Sequence, residues 1–596
     1  MRGHGSTSIH DEATLGKAYD ARLIRRLWGY VRPHRRLVVA SMALMLTVSA
    51  VQLLQPYLIK LAIDDHIASG RLEGLGRLAL LFLAALVAEF GLRFGQLYVL
   101  QRTGQDVVFD VRMDVFAHLQ HLSSSFFDRN PVGRLMTRLT TDVEALNEAF
   151  TSGLVVILAD LVKLVGIVTI LLWMDWRLAL ITFAILPPTL LLTWFFRKRM
   201  RGAYRQVRVW IAKVNSFLQE NVSGMRVVQL FSRERSAMAQ FREINTGHRD
   251  AQLQGVRYDS IFSALAEMIG SVTLAAIIWG GGWSILEGVI TFGTLVAFIE
   301  YASKFFGPVQ ELSQRYTVMQ SAMASAERIF GLLDTEIEIR SPEQPRAVRD
   351  ERAGEIVFEN VTFGYKEDEP VLRNVSFRAR PGERVAIVGW TGSGKSTLIR
   401  LLVRLYDVWE GRILLDGIDV RDYDLRDLRR RVGVVLQDHF LFAGTVASNI
   451  SLDDPAVTPE QVQQAARAVH ADRFIERLAQ GYDEPVRERG SNFSVGQKQL
   501  LSFARAIAFD PAVLVLDEAT ASVDPETEHH IRQALQILLE GRTSIVIAHR
   551  LATVRDADRI LVLHHGQLLE QGSHEELLGV ENGIYRTLYS LQIVPG

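Results

Sequence analysis

The sequence predicts a membrane all-α region of six helices fused ahead of a cytoplasmic α/β phosphate-loop domain. Three observations carry this. Residues 37–59, 178–196 and 268–286 hold no charged side chain over 23, 19 and 19 positions, each long enough to cross a bilayer. Residues 389–397 read Gly-Trp-Thr-Gly-Ser-Gly-Lys-Ser-Thr, a G-x-x-x-x-G-K-[ST] stretch set between a strand-like run and a helical one. Mean hydropathy is +0.12 although 22% of residues are charged, so the apolar residues must be gathered in one part of the chain. They lie in its first half.

A chain of 596 residues is too long for one domain. The net charge of −1 provides no global attraction to nucleic acid, so none is expected as a partner. The absence of cysteine excludes disulfides, zinc–thiolate sites and thiol catalysis. Residues 1–20 are polar and lack the apolar core of a signal peptide, so no cleavage is expected. From 21 to 31, Leu23, Ile24, Leu27, Trp28 and Val31 interleave with Arg22, Arg25 and Arg26. This reads as an amphipathic elbow helix with a basic face, within a cytoplasmic segment 1–36, suited to an anionic membrane surface.

The transmembrane region is expected over 37–324, with helices at about 37–59, 75–100, 153–174, 178–196, 262–286 and 288–308. Pro187 and Pro188 fall inside the fourth as a tolerated kink. Glu89 and Arg93 interrupt the second, Asp160 and Lys163 the third, Glu300 and Lys304 the sixth. Their i,i+4 and i,i+3 spacings let each pair neutralise itself; otherwise they are substrate contacts. Arginines precede the first span, and the long links after spans two and four are rich in Arg and Lys. The positive-inside rule therefore places the N-terminus, both links and the second half in the cytoplasm. The links read as helical extensions of the membrane helices, with tips near 126–134 and 216–229 that could touch the second half.

Residues 325–354 mix charge with proline and read as a linker before a domain at 355–596. Within it, Gly389, Gly392 and Gly394 free backbone N–H groups to point at phosphate oxygens, and the helix start adds its positive dipole end. Lys395 can reach the β- and γ-phosphates, and the Ser396 hydroxyl can bind Mg2+. Tyr365, upstream at a turn, could stack on a purine ring. Gln437 ends an apolar strand, where its amide can reach Mg2+ or water. The run Val513–Asp517 ends in two carboxylates: Asp517 to hold the metal, Glu518 to accept a proton from the attacking water. His549, ending another strand, is placed for a γ-phosphate. Ser494, Val495, Gly496 and Gln497 open a helix and form a second anion site. One nucleotide needs only one such site, so this one is expected to serve a nucleotide held by a second chain.

This ordered set resembles the ATP-binding cassette family. The resemblance implies Tyr365 as adenine-stacking residue and residues 389–397, including Trp390, Thr391, Ser393 and Thr397, as the Walker A loop. It implies Gln437 as Q-loop glutamine, 493–497 as signature, Val513–Asp517 as Walker B with catalytic Glu518, Asp524 in the D-loop and His549 as the H-loop residue. Six spans ahead of one cassette resemble a half-transporter of the multidrug and lipid exporter class, the type I exporter fold. Residues 126–134 resemble its first coupling segment, so Phe127, Asp128, Asn130 and Gly133 are expected to act there.

The signature departs from the usual Leu-Ser-Gly-Gly-Gln at Val495, which puts a β-branched side chain where backbone should approach phosphate. In asymmetric members the half with intact Walker B often carries the altered signature. The resemblance thus implies a heterodimer with one efficient ATP site, built from this chain's Walker A and B and the partner's signature, with a homodimer as the alternative. ATP and Mg2+ are the expected cofactors, membrane lipids and an amphipathic drug, lipid or peptide the expected partners, and the bacterial inner membrane the location. A lipid floppase and an ATP-gated channel or sensor are the rival functions. A peptide exporter with its own cysteine protease is disfavoured by the lack of cysteine. An importer is disfavoured because importers usually keep the two domains on separate chains.

Overall fold

A computed structural model describes residues 20–70, 73–148, 151, 155–184, 186–346, 354–517, 525–547 and 554–593. The chain divides into two compact units, Met1–Ala117 with Met136–Asp334, and His118–Leu135 with Thr335–Gly596.

The first unit is helical. Helix α1 (Ala21–Val31) starts at Asp20, whose carboxylate accepts from Arg22 N at 2.8 Å. Its apolar side buries Leu27 and Val31, and Arg26 pairs with both oxygens of Asp334 at 2.6 and 2.9 Å. The elbow is therefore clipped to the bundle by one face, while Trp28 stays 55% exposed. Then come α2 (Arg35–Leu61), which continues as a π-helical turn Ala62–Ile67, and α3 (Leu75–His121). Along the chain follow α4 (Ser124–Arg129), which belongs to the second unit, α5 (Val132–Thr137), whose residues fall in both, and α6 (Val143–Glu148), back in the first. Next are α7 (Val155–Met174), α8 (Trp176–Phe183), α9 (Leu186–Ser223), α10 (Met225–Leu230), α11 (Glu234–Leu286) and α12 (Phe292–Leu333).

Five helices among the described residues are long and apolar enough to cross a membrane: Ala21–Ile67, Leu75–His121, Val156–Met174, Trp176–Ser223 and Glu234–Leu286. Helix α12 covers the sixth expected span and carries Glu300 and Lys304 within it. The link between α7 and α8 is the single residue Asp175, whose carboxylate caps α8 by accepting from Leu178 N at 2.8 Å. Helix α8 ends at Phe183 with Ala184 in a turn, and the described part of α9 begins at Leu186, so Pro187 and Pro188 lie in its first described turn, where a missing N–H costs least. The extensions form as expected, and the second tip falls within 216–229: α9 runs to Ser223, turns at Gly224 and is followed by α10. Helices α9 and α11 pack along their length, with Phe196 on Phe262 and Phe217 on Phe241 at centroid distances of 5.9 and 5.8 Å. Gly247 admits the Trp210 ring, which a Cβ there would meet at 2.6 Å.

The charged residues inside the spans also meet partners on other helices. Gln52 Nε2 donates to Glu89 at 2.7 Å, and Gln55 Nε2 donates to its other oxygen. Lys304 Nζ donates to Gln52 O at 3.0 Å and to Gln55 Oε1 at 3.1 Å, so Gln55 relays between Lys304 and Glu89 across three helices. Asp160 pairs with Arg315 of α12 at 3.3 Å. The reason lies in Pro56, inside α2. Proline brings no N–H to the carbonyl four residues back, which is Gln52 O. Lys304 fills that vacancy, and Tyr301 OH donates to Leu53 O at 2.5 Å. In a bilayer a freed carbonyl must find such a neighbour.

The nucleotide domain holds two main sheets. Strands β1 (Ile356–Phe363), β2 (Leu372–Ala379), β4 (Glu410–Leu415) and β5 (Ile418–Asp419) form an antiparallel sheet in the order β2-β1-β4-β5. The second sheet runs β12-β11-β3-β10-β9-β6. It comprises β3 (Arg384–Val388), β6 (Val432–Val435), β9 (Val513–Asp517), β10 (Thr543–Ile547), β11 (Arg559–His564) and β12 (Gln567–Gly572). All are parallel except the edge strand β12. Strands β7 (Gly444–Thr445) and β8 (Pro485–Val486) pair separately. Strands β3, β9, β10 and β11 are buried on both faces, which explains their unbroken apolar runs.

Candidate functional site

Register builds the site. Ile547 of β10 is level with Ile387 of β3 on one side and with Asp517 of β9 on the other. Asp517 therefore ends its strand at the height where the phosphate loop leaves β3, at the carboxyl edge of the parallel sheet. The loop turns into the helix Lys395–Leu402 through Gly394, at φ 100°. A Cβ at Gly389 would stand 2.2 Å from the Leu563 carbonyl oxygen, so only glycine lets the loop pass β11.

Lys395 is 7% exposed and donates to the carbonyls of Gly389 and Trp390 at 2.9 and 2.8 Å, which holds Nζ in the loop's mouth. Burial lowers its pKa, opposed by the charge of Asp517. A phosphate there would restore the charged ammonium a partner. The Ser393 hydroxyl is 4% exposed and has no partner among the described residues, an open donor inside the loop. Ser396 Oγ donates to Asp517 Oδ2 at 3.1 Å. Two hard oxygen donors at that separation suit adjacent positions around Mg2+, whose ligands sit at about 2.1 Å. Trp390 is 42% exposed with its ring 5.0 Å from that of His564; Thr391 and Gly392 are exposed and Thr397 is buried.

Tyr365 follows β1, and its hydroxyl pairs with Thr397 Oγ1 at 3.1 Å, so the aromatic and the loop are brought together. Gln437 lies exposed two residues beyond β6, and no described hydrogen bond ties it to Ser396 or Asp517. Glu518, Asp524 and His549 lie outside the described residues.

The signature opens the helix Val495–Ala508 through a capping box. Ser494 Oγ accepts from Gln497 N at 3.2 Å, and Gln497 Oε1 accepts from Ser494 N at 2.9 Å. Gly496 is buried, whereas Val495 is 57% exposed at the helix mouth. Residues 118–135 belong to the same compact unit as the nucleotide domain. There Asp128 accepts from the Tyr406 hydroxyl, and Ser123 and Ser125 both donate to Glu338, at 2.8 and 2.5 Å. Phe127 is 42% exposed, Asn130 Nδ2 donates to Phe126 O at 2.9 Å, and Gly133 has open space around it. Sequence reasoning did not find Arg400, Tyr406 or Glu338, because no motif marks them.

Known proteins agree with this architecture. Residues 38–309 match the ABC transporter transmembrane region, and 372–521 match the ABC transporter domain. The chain is 38% identical over 524 residues to the probable multidrug resistance ABC transporter ATP-binding/permease protein YheH of Bacillus subtilis, covering 87% of this chain and 77% of that protein. It is 36% identical over 571 residues to the ATP-dependent lipid A-core flippase of Syntrophus aciditrophicus, covering 96% and 94%. A bacterial Atm1-family ABC exporter solved with ATP bound superposes with a TM-score of 0.75 at 30% identity, over 94% of this chain and 99% of that one. The chain belongs to the ABC transporter family, as a multi-pass membrane protein of type I exporter fold with its ATP-hydrolysing domain fused to its own transmembrane region.

Proposed function

We propose that this chain is one half of an ATP-driven exporter of amphipathic compounds in the bacterial inner membrane. Its regions are 1–36, 37–324, 325–354 and 355–596, with the N-terminus and nucleotide domain cytoplasmic. The observation that carries the reading is the Ser396–Asp517 contact at 3.1 Å, which joins the phosphate loop to the acidic strand end in a chain that also supplies the membrane helices. Ser396, Asp517 and Gln437 would hold Mg2+, which supplies charge neutralisation on the phosphates. Tyr365 stacks on adenine, residues 389–397 cradle the phosphates, Glu518 accepts the proton of the attacking water and His549 contacts the γ-phosphate. The signature residues Ser494, Val495, Gly496 and Gln497, with Asp524, serve the nucleotide of a second half-transporter. ATP binds the closed pair of cassettes more tightly than the open pair, and that difference drives alternating access.

Val495 favours a heterodimer, because its exposed β-branched side chain occupies the helix mouth where a partner's phosphate must approach. The chain purified alone in nanodiscs should then be a monomer, or a dimer with negligible turnover. A homodimer with Glu518-dependent turnover overturns that assignment. Substrates are amphipathic small molecules, lipids or peptides; the likeness to a lipid A-core flippase favours a membrane lipid as the second reading. With its partner present, Glu518→Gln should abolish steady-state ATPase while ATP binding persists. Retained turnover would remove Glu518 as the base.

A further inference from the structure

Tyr365 is held by residues that the coupling segment also holds. Asp128, on α4, accepts a hydrogen bond from the Tyr406 hydroxyl and lies 3.7 Å from Arg400 Nη1. Arg400 stands in the phosphate-loop helix, and the same Nη1 donates to the Tyr365 hydroxyl at 3.3 Å. Its guanidinium carbon is 5.7 Å from the Tyr365 ring centroid. Tyr406 meets that ring edge-on, with centroids 5.2 Å apart and planes at 85°. Phe363 packs against both rings, at 5.2 Å from Tyr365 and 5.5 Å from Tyr406. The Arg400–Asp128 pair is long and its side chains are 45% and 55% exposed, so it is the weaker of the two links. The stronger is the charge-assisted bond from Tyr406. Burial, and then that bond to Asp128, hold the Tyr406 phenol above its ordinary pKa, so it stays a donor.

We propose that Asp128 is a positioning residue for the adenine platform: through Tyr406 and Arg400 it sets how Tyr365 presents its ring to the base of the nucleotide. This rests on the reading of Tyr365 as the adenine-stacking residue. The link is reciprocal. Whatever factor Asp128 adds to affinity for the base, the bound base returns as a tighter hold on residues 124–129. The phosphate loop, residues 389–397, meets this network through Thr397, whose Oγ1 pairs with the Tyr365 hydroxyl at 3.1 Å, and not through Asp128. Base occupancy is thereby sensed at the segment that joins the membrane helices α3 and α7, separately from phosphate occupancy.

The experiment uses the full chain in lipid nanodiscs, with ADP as a ligand that carries the base and tripolyphosphate as one that does not. Asp128→Asn should weaken ADP binding about fivefold in calorimetry and leave tripolyphosphate unchanged, with Asp128→Glu restoring much of the loss. ADP, but not tripolyphosphate, should slow amide exchange over residues 124–134, and Asp128→Asn should erase the difference. Tyr365→Ala should weaken ADP by itself, and adding Asp128→Asn to it should do nothing further. Unchanged ADP affinity in Asp128→Asn, an equal loss for both ligands, or additivity with Tyr365→Ala overturns the proposal. Unchanged ADP affinity in Tyr365→Ala instead removes the platform reading beneath it, a result seen on that variant alone.

Discussion

The phosphate loop and the charged cluster inside the membrane helices solve the same problem in opposite ways. At the loop, a buried cation and open donors are left for a ligand. Among the described residues Lys395 donates only to carbonyls, and the Ser393 hydroxyl has no hydrogen-bond partner. Among the membrane helices, Glu89, Gln52, Gln55 and Lys304 complete one another. A site built for a ligand shows unspent hydrogen-bonding capacity, whereas a structural cluster uses up its own. On that criterion Lys304 and Glu89 hold helices together, and their charge is no guide to what is transported.

The largest expected effect tests the loop's side of the contrast. Lys395→Ala removes the buried ammonium in the loop's mouth, and a charge-assisted bond of about 3 kcal/mol corresponds to roughly 100-fold weaker binding. Calorimetry with tripolyphosphate should show that loss, while Lys304→Met should leave the same titration unchanged. Equal losses in both variants would mean the two regions are not separable in this way.

A smaller effect comes from His439, two residues past Gln437. Burial above all pushes its imidazole down to about 4, with Asp438 opposing and Arg505 adding to the shift, and Nδ1 has no described partner. The unfolded chain takes up a proton near pH 6.5, but the folded one does not until about 4. Stability is therefore complete above 6.5 and falls as pH drops toward 4. At pH 5 the loss should reach about 1–2 kcal/mol. Calorimetric unfolding of the nucleotide domain, compared between wild type and His439→Gln at pH 7 and pH 5, should show a steeper decline in the wild type. Parallel declines would place the imidazole in contact with solvent.

The two regions also differ in how much of them could be read from the chain. The loop, Asp517 and the capping box at Ser494 each sit within a few residues of the features that position them, so local pattern was enough to find them. Parallel pairing then aligned β3, β10 and β9 without any further signal. Inside the membrane helices the partners are distant in sequence. Nothing near Asp160 points to Arg315, and nothing near Asp128 points to Tyr406 or Arg400. Spacing rules proposed i,i+4 partners because those are the only pairs a sequence displays. Pro56 was visible, yet which side chain would fill the carbonyl it frees depends on how α2 and α12 pack. The break before Pro187 shows the same limit, since the two prolines fit equally well as a kink inside a helix or as the first turn of a new one.

The smallest expected effect decides whether the membrane cluster is structural. If Lys304 is there to satisfy Gln52 O, its value depends on Pro56. Lys304→Met should destabilise the bundle by about 1 kcal/mol, within the range found for hydrogen bonds between membrane helices. Pro56→Ala returns an N–H to the helix, and that N–H takes the Gln52 carbonyl. With its acceptor engaged, Lys304 contributes less, so the double variant should be more stable than the sum of the single losses predicts. The measurement is a double-mutant cycle on unfolding in mixed micelles. Strict additivity would mean the lysine does not serve the carbonyl, and Lys304 would then return as a candidate contact for an anionic substrate.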